Sequence, residues 1–265
     1  WLDAYGSRPM SVFEDAVWRS IDEIEKIVGE EQMSYNIIRA VAKKKTSEAV
    51  GFFRKKKQRV DENLPLRVKL GGLIELDEPV LLSYHGLMQF EFPRFPASVE
   101  TIGKIDLGDD VFAYRCYLEK TEAFLQIVTE NDEIAECRLY VLDREIYPGS
   151  DADWDLWIDP ETGIVGSPEV LHGEPEELPY TREWVDGEHQ ADPVHIRERF
   201  LKDPYGEDSV VEEQQAMSYF RVAAGNPEDS DDTDRVDEFL LISVGDGVVE
   251  LYLGAELLAK EITVI

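Results

Sequence analysis

Three consecutive runs of apolar residues spaced two apart, joined by very short polar links, constrain this chain's fold more than any other stretch of it. They are Val111–Leu118, Ala123–Glu130 and 134–142, linked by 119–122 and by Asn131-Asp132-Glu133. In the first, Phe112, Tyr114, Cys116 and Leu118 share a face; in the second, Ala123, Leu125 and Ile127 do. In the third, Cys137, Leu139 and Val141 share a face, while Glu136 and Arg138 point away. Side chains two apart lie on the same side of a strand. The pattern therefore predicts an antiparallel meander with one buried side.

Before this region the texture is helical. Ser11-Val12-Phe13-Glu14 has the form of a capping box, in which hydroxyl and carboxylate each satisfy an orphan amide. Phe13, Val17, Ile21, Ile24 and Val28 follow at helical spacing, with Gly29 placed to end the helix. A second helical region starts at about Met33, and Ala49, Val50, Phe52 and Phe53 sit on a further turn or helix. Near Leu64-Pro65 the helical period gives way to short β-rich runs. A strand over 66–76, bent at Gly71-Gly72, is expected first, and further strands at 194–201, 215–223, 238–244 and 248–253, the last two joined by a turn at Gly245-Asp246-Gly247. Ser150 caps a short helix over 151–158 that ends at Asp159-Pro160. The polar stretch 225–237 reads as an acidic loop. The expected organisation is α+β: a helical N-terminal appendage over 1–62, then an acidic, mainly antiparallel β domain over 63–265.

Charge divides at the same boundary. Residues 1–62 hold 12 Lys+Arg against 11 Asp+Glu, and the rest hold 15 against 46, although the whole chain is at −30. An acidic body of this kind is a poor ligand for nucleic acid, whose affinity depends on Lys and Arg at phosphates. The basic residues concentrate between Arg39 and Arg59: Lys43, Lys44, Lys45, Arg54, Lys55, Lys56 and Lys57, against Glu48 alone. Phe52-Phe53 directly before Arg54 gives the apolar-plus-basic composition of segments that meet anionic lipid. The competing use is docking of this segment on the acidic body of the same or a neighbouring subunit, so a homo-oligomer is one expectation. No apolar run reaches the ~20 residues of a spanning helix, and no signal-peptide core is expected.

Chemical motifs are sparse. Cys116 and Cys137 lie at positions that alternation buries, which marks them as core thiols in a reducing compartment. Asp151, Asp153 and Asp155 alternate like the start of a calcium loop, but Leu156 stands where the loop needs Gly and Thr162 where it needs Glu. First-turn acidic residues favoured by the helix dipole explain them without metal. His85, His172, His189 and His195 form no ligand pair at metal-binding spacing. No nucleophile elbow, phosphate loop or dinucleotide fingerprint occurs, so no metal or cofactor is expected. Trp154 and Trp157 lie three apart on one helical face, placed to pack on a sheet or to anchor a partner.

The order of features from Leu64-Pro65-Leu66 onward resembles the YjfK-like family of uncharacterised bacterial proteins over about residues 63–265. The resemblance rests on 71–77 (Gly-Gly-Leu-Ile-Glu-Leu-Asp), 102–108 (Ile-Gly-Lys-Ile-Asp-Leu-Gly) and 123–126 (Ala-Phe-Leu-Gln). It continues through Glu136-Cys137-Arg138-Leu139-Tyr140, Asp153-Trp154-Asp155-Leu156-Trp157-Ile158, Glu213-Gln214-Gln215-Ala216-Met217 and Leu240-Leu241-Ile242-Ser243-Val244. It gives no residue a catalytic role. It implies a bacterial cytoplasmic accessory protein, peripheral at the inner membrane face, whose neighbours include a phage-shock-protein-A-like coiled-coil protein and an ATP-grasp ligase. We read the chain as a noncatalytic interaction protein. The alternative is an enzyme whose site assembles from the dispersed His85, Asp153, His195 and Arg197.

Overall fold

The computed structural model describes residues 64–173, 175–185, 187–201, 209–226 and 235–265. In chain order the strands are β1 (Leu73–Leu76), β2 (Ala97–Gly108), β3 (Val111–Leu118), β4 (Ala123–Glu130), β5 (Glu133–Ile146), β6 (Glu169–His172), β7 (Leu178–Arg182), β8 (Val194–Leu201), β9 (Ser209–Ala224), β10 (Val236–Gly245), β11 (Val248–Glu256) and β12 (Ile262–Val264). Two short helices, α1 (Glu78–Tyr84) and α2 (Asp151–Ile158), interrupt them.

Eight of the strands close into a barrel. The path β2-β3-β4-β5-β11-β10-β9 is continuous, and β8 pairs with both β9 and β2 to shut it. Every one of these pairings is antiparallel. Closure removes the free edges that an open sheet would present, and eight strands leave an interior wide enough for side chains. β9 has two successive partners on one side: β8 along its first half and β7 at Tyr219 and Phe220. The β4–β5 link is tight because Asn131 and Asp132 both take positive φ, the conformation a two-residue hairpin turn requires.

Two coats cover the barrel from outside. Ile74 of β1, Ile262 of β12, Leu64 and Val68 pack on Tyr114, Cys116, Leu125, Ile127 and Leu139. On the opposite flank Val165, Val170, Tyr180 and Trp184 pack with Met217, Tyr219, Leu240 and Ile242, with Trp154 and Trp157 of α2 half-buried against the same cluster.

The α+β expectation is thereby corrected: the described residues form a mostly antiparallel eight-stranded β-barrel with two short helices. The helical appendage expected at 1–62 lies outside the described residues, as does most of the acidic loop within 225–237. The meander over β3–β5 pairs as expected, but its strands are buried on both faces rather than one. β4 is buried at seven successive positions, because one face meets the barrel interior and the other the outer coat. The strand expected over 66–76 is shorter, since a 3-10 turn at Pro65–Arg67 precedes β1. The helix at 151–158 is present, with Ser150 Oγ accepting from the Asp153 amide.

Candidate functional site

Closure of the barrel brings polar side chains from distant strands into its interior. Gly103, Arg115, Gln126 and Arg138 occupy paired positions on β2, β3, β4 and β5, so they share the inward face. Arg115 donates through Nε to Gln126 Oε1 at 3.1 Å and through Nη1 to Glu198 Oε2 at 2.9 Å. Tyr117 donates its hydroxyl to Glu198 Oε1 at 3.0 Å, and Gln214 Nε2 donates to Oε2 at 3.0 Å. Ser243 in turn donates to Gln214. Burial alone would make the Arg115 guanidinium easier to deprotonate, but Glu198 reverses this and holds it charged.

A second group lies where β7 meets the barrel. Arg138 grips Glu183 through two parallel hydrogen bonds of 2.9 and 2.7 Å, and its Nη2 also reaches Glu136 at 3.0 Å. Ser218 donates to Glu183 at 2.6 Å, and the guanidinium lies 3.7 Å from the centre of the Phe239 ring. Outside the barrel wall Glu238 accepts from Tyr180 at 2.7 Å, from Arg221 Nε at 2.6 Å and from the Gln89 amide. Each network joins segments that backbone pairing alone does not join. Charges this deep are tolerated only when paired and hydrogen-bonded.

The barrel is open beside the β3–β4 turn, where a cavity of about 320 Å³ is walled by Tyr117, Phe124, Phe200 and Tyr252. Ring centroids stand 5.3 Å apart for Tyr117 and Phe124, 5.6 Å for Tyr117 and Phe200, and 5.1 Å for Phe124 and Tyr252. Glu100, Glu122 and Glu145 also line it, together with Thr101, whose covered Oγ1 finds no hydrogen-bond partner among the described residues. Burial first, then the negative Glu250, pushes the Tyr252 hydroxyl above its ordinary range.

The residues singled out from the sequence are not gathered here. His85 ends α1. Asp153 serves the start of α2, accepting from the Gly149 amide and the Ser150 hydroxyl. His195 and Arg197 lie on the outer face of β8, beside Gln215 and Glu213. Lys43, Lys44, Lys45, Phe52, Phe53, Arg54, Lys55, Lys56 and Lys57 lie outside the described residues. Among the described residues no three His, Cys, Asp or Glu side chains converge as metal ligands, and no helix is long and apolar enough to cross a membrane. Sequence reasoning missed Arg115 and Glu198, and placed Arg138 and Glu136 facing away from the buried side; they face the interior and are buried. The available signal was an arginine embedded between bulky apolar neighbours, as in Tyr114-Arg115-Cys116.

Fold and interior together define a closed antiparallel β-barrel with a core of paired buried charges and an aromatic mouth. The chain belongs to the family described as Protein of unknown function (DUF2491), whose model matches residues 42–249. That match begins within the basic segment, further toward the N-terminus than the resemblance read over 63–265. No curated protein and no solved structure matches the chain.

Proposed function

We propose that this barrel is a noncatalytic interaction protein with an accessory role. The observation that carries the reading is the fate of its buried charges. Arg115, Glu198, Arg138, Glu183 and Glu238 are engaged with one another and with neighbouring hydroxyls and amides. A catalytic acid, base or nucleophile must instead face a substrate within hydrogen-bond reach. The dispersed set that an enzyme would have used, His85, Asp153, His195 and Arg197, stays in three separate places.

The resemblance drawn from the sequence supports a partner of the phage-shock-protein-A-like class and a station at the cytoplasmic face of the inner membrane. The basic segment 39–59 supports contact with anionic lipid, since each Lys or Arg near such a surface contributes on the order of 1 kcal/mol. Flotation of the full chain with phosphatidylglycerol vesicles tests the membrane part. Binding at low salt that fades at high salt, and that a Lys55→Glu, Lys56→Glu, Lys57→Glu variant lacks, is expected. A full chain that stays out of the vesicle fraction at low salt overturns that part. Size-exclusion chromatography of the chain co-expressed with the phage-shock-protein-A-like protein of its own host tests the partner. Separate elution of the two overturns it.

A further inference from the structure

We propose that the aromatic mouth of the barrel is a binding site for a small organic cation, an alkylated ammonium group. The four rings of Tyr117, Phe124, Phe200 and Tyr252 come from β3, β4, β8 and β11 and meet only because the barrel closes. Their centroids lie 5.1 to 5.6 Å apart along the chain of contacts, so they form a continuous wall. Aromatic faces carry partial negative charge and attract a cation held within about 6 Å of the ring centre.

The charge around that wall has one sign. Glu100, Glu122 and Glu145 line the cavity, and no described Lys or Arg does. Arg115 lies 5.1 Å from the Phe124 ring, but its guanidinium is committed to the fully buried Glu198 and adds no net charge to the mouth. An anionic ligand would meet three carboxylates with nothing to offset them. A neutral apolar ligand would gain from the rings but nothing from the rim. An ammonium group gains from both. Its alkyl substituents match the apolar walls, and an ammonium with a hydroxyl or N–H nearby can also use the orphaned Thr101 Oγ1. The cavity volume, about 320 Å³, is at the lower end of the range for small-molecule sites, which sets the ligand's size.

This site does not depend on the interaction role proposed above, and its test is separate. Choline, its uncharged tert-butyl isostere and acetate are titrated into the full chain. Heat is read by calorimetry and the Tyr117 and Tyr252 ring signals by NMR. Saturable choline binding that perturbs both tyrosines is expected, with the isostere weaker by about ten-fold or more and acetate without effect. Phe200→Leu keeps an apolar side chain and removes a ring, so choline binding should weaken much more than the isostere's does. Because Phe200 is partly buried, a Glu122→Gln, Glu145→Gln variant on the exposed rim serves as the second arm. It should weaken choline severalfold and flatten the salt dependence. Equal binding of choline and the isostere overturns the proposal, as does an absence of choline binding at millimolar concentration. A folded rim variant that binds choline as the wild type does would also overturn it.

Discussion

The carboxylate of Glu198 rests against the Cα of Gly103. A Cβ built at Gly103 would stand 1.6 Å from Glu198 Oε1 and 2.6 Å from its Cδ, so glycine is the residue that lets a glutamate on β8 reach across β2 to Arg115 on β3. Gly254 plays the same part on the other side of the barrel, where a Cβ would fall 2.6 Å from the Tyr140 ring. Both contacts pack a large interior side chain into the space that a missing one leaves.

Gly103→Ala must therefore displace Glu198. Overpacking of this kind costs about 1–3 kcal/mol, and here the displaced carboxylate also gives up its hydrogen bonds. Urea denaturation should show a lower midpoint with an unchanged slope. In a Glu198→Ala background the same glycine substitution should cost much less, because the obstacle is gone. Additive losses from the two changes would show that Gly103 and Glu198 are not coupled as the geometry implies.

Arg115 and Glu198 provide the second test. Arg115→Met leaves a carboxylate buried without its partner, which costs about 3–5 kcal/mol in comparable sites. Adding Glu198→Leu removes that orphaned charge, so the double variant should be more stable than Arg115→Met alone. The surface pair Lys120–Glu119 is the contrast: at side-chain exposures of 85% and 43% it is solvated, and Lys120→Ala should leave the midpoint where it was. A double variant less stable than the single one would mean that the pair does not neutralise itself in the core.

The same residues mark the limit of what the sequence discloses. The β3–β5 meander, the Ser150-capped helix and the β10–β11 turn at Asp246-Gly247 are local patterns, and local patterns are legible. Barrel closure is not local. Arg115 and Glu198 are 83 residues apart, and nothing in either segment names the other. Period-two alternation assumes one wet face, and it failed where an outer coat and an inner cavity bury both. Arg138 was placed on the face away from the buried side by that rule and is instead 3% exposed. β12, of three residues, is too short to carry a period at all, and β1 is legible only as part of the longer run expected over 66–76. The mouth cavity was invisible for the same reason as closure, since its four rings come from four strands.

Cys116 and Cys137 are both buried and free. Burial pushes each thiol up to about 12, aided by the other cysteine for Cys116 and by Glu136 and Glu256 for Cys137. The thiolate is the reactive form, so neither should react with a thiol reagent in the native protein at mildly alkaline pH. Both should label once denaturant is added, and native labelling should proceed only as fast as the barrel opens. Rapid modification of the folded chain by a disulfide reagent would contradict the burial described here.

Glu250 and Asp143 should give stability profiles of opposite sign against pH. Burial first, then the negative Glu145 and Glu212, raises the Glu250 carboxyl above its ordinary range despite the Tyr252 hydrogen bond. A carboxyl whose folded value is raised holds its proton more tightly in the native state. Its contribution is therefore most favourable below the unfolded value of about 4.3 and is lost as pH rises through the folded value. Glu250→Gln should raise the melting temperature at neutral pH, and the gain should shrink toward zero in acid. Asp143 behaves the other way, because its hydrogen bond with His172, 3.0 Å from ring Nε2, lowers its carboxyl. That stabilisation is present above the unfolded value of about 3.9 and disappears as pH falls through the folded one. Asp143→Asn should therefore melt lower than the wild type at neutral pH, with the difference closing in acid. Melting curves of the two variants from neutral pH down to below the unfolded carboxylate range decide the matter: a Glu250→Gln variant that is less stable than the wild type at neutral pH would show that its charge is welcomed in the barrel wall rather than tolerated.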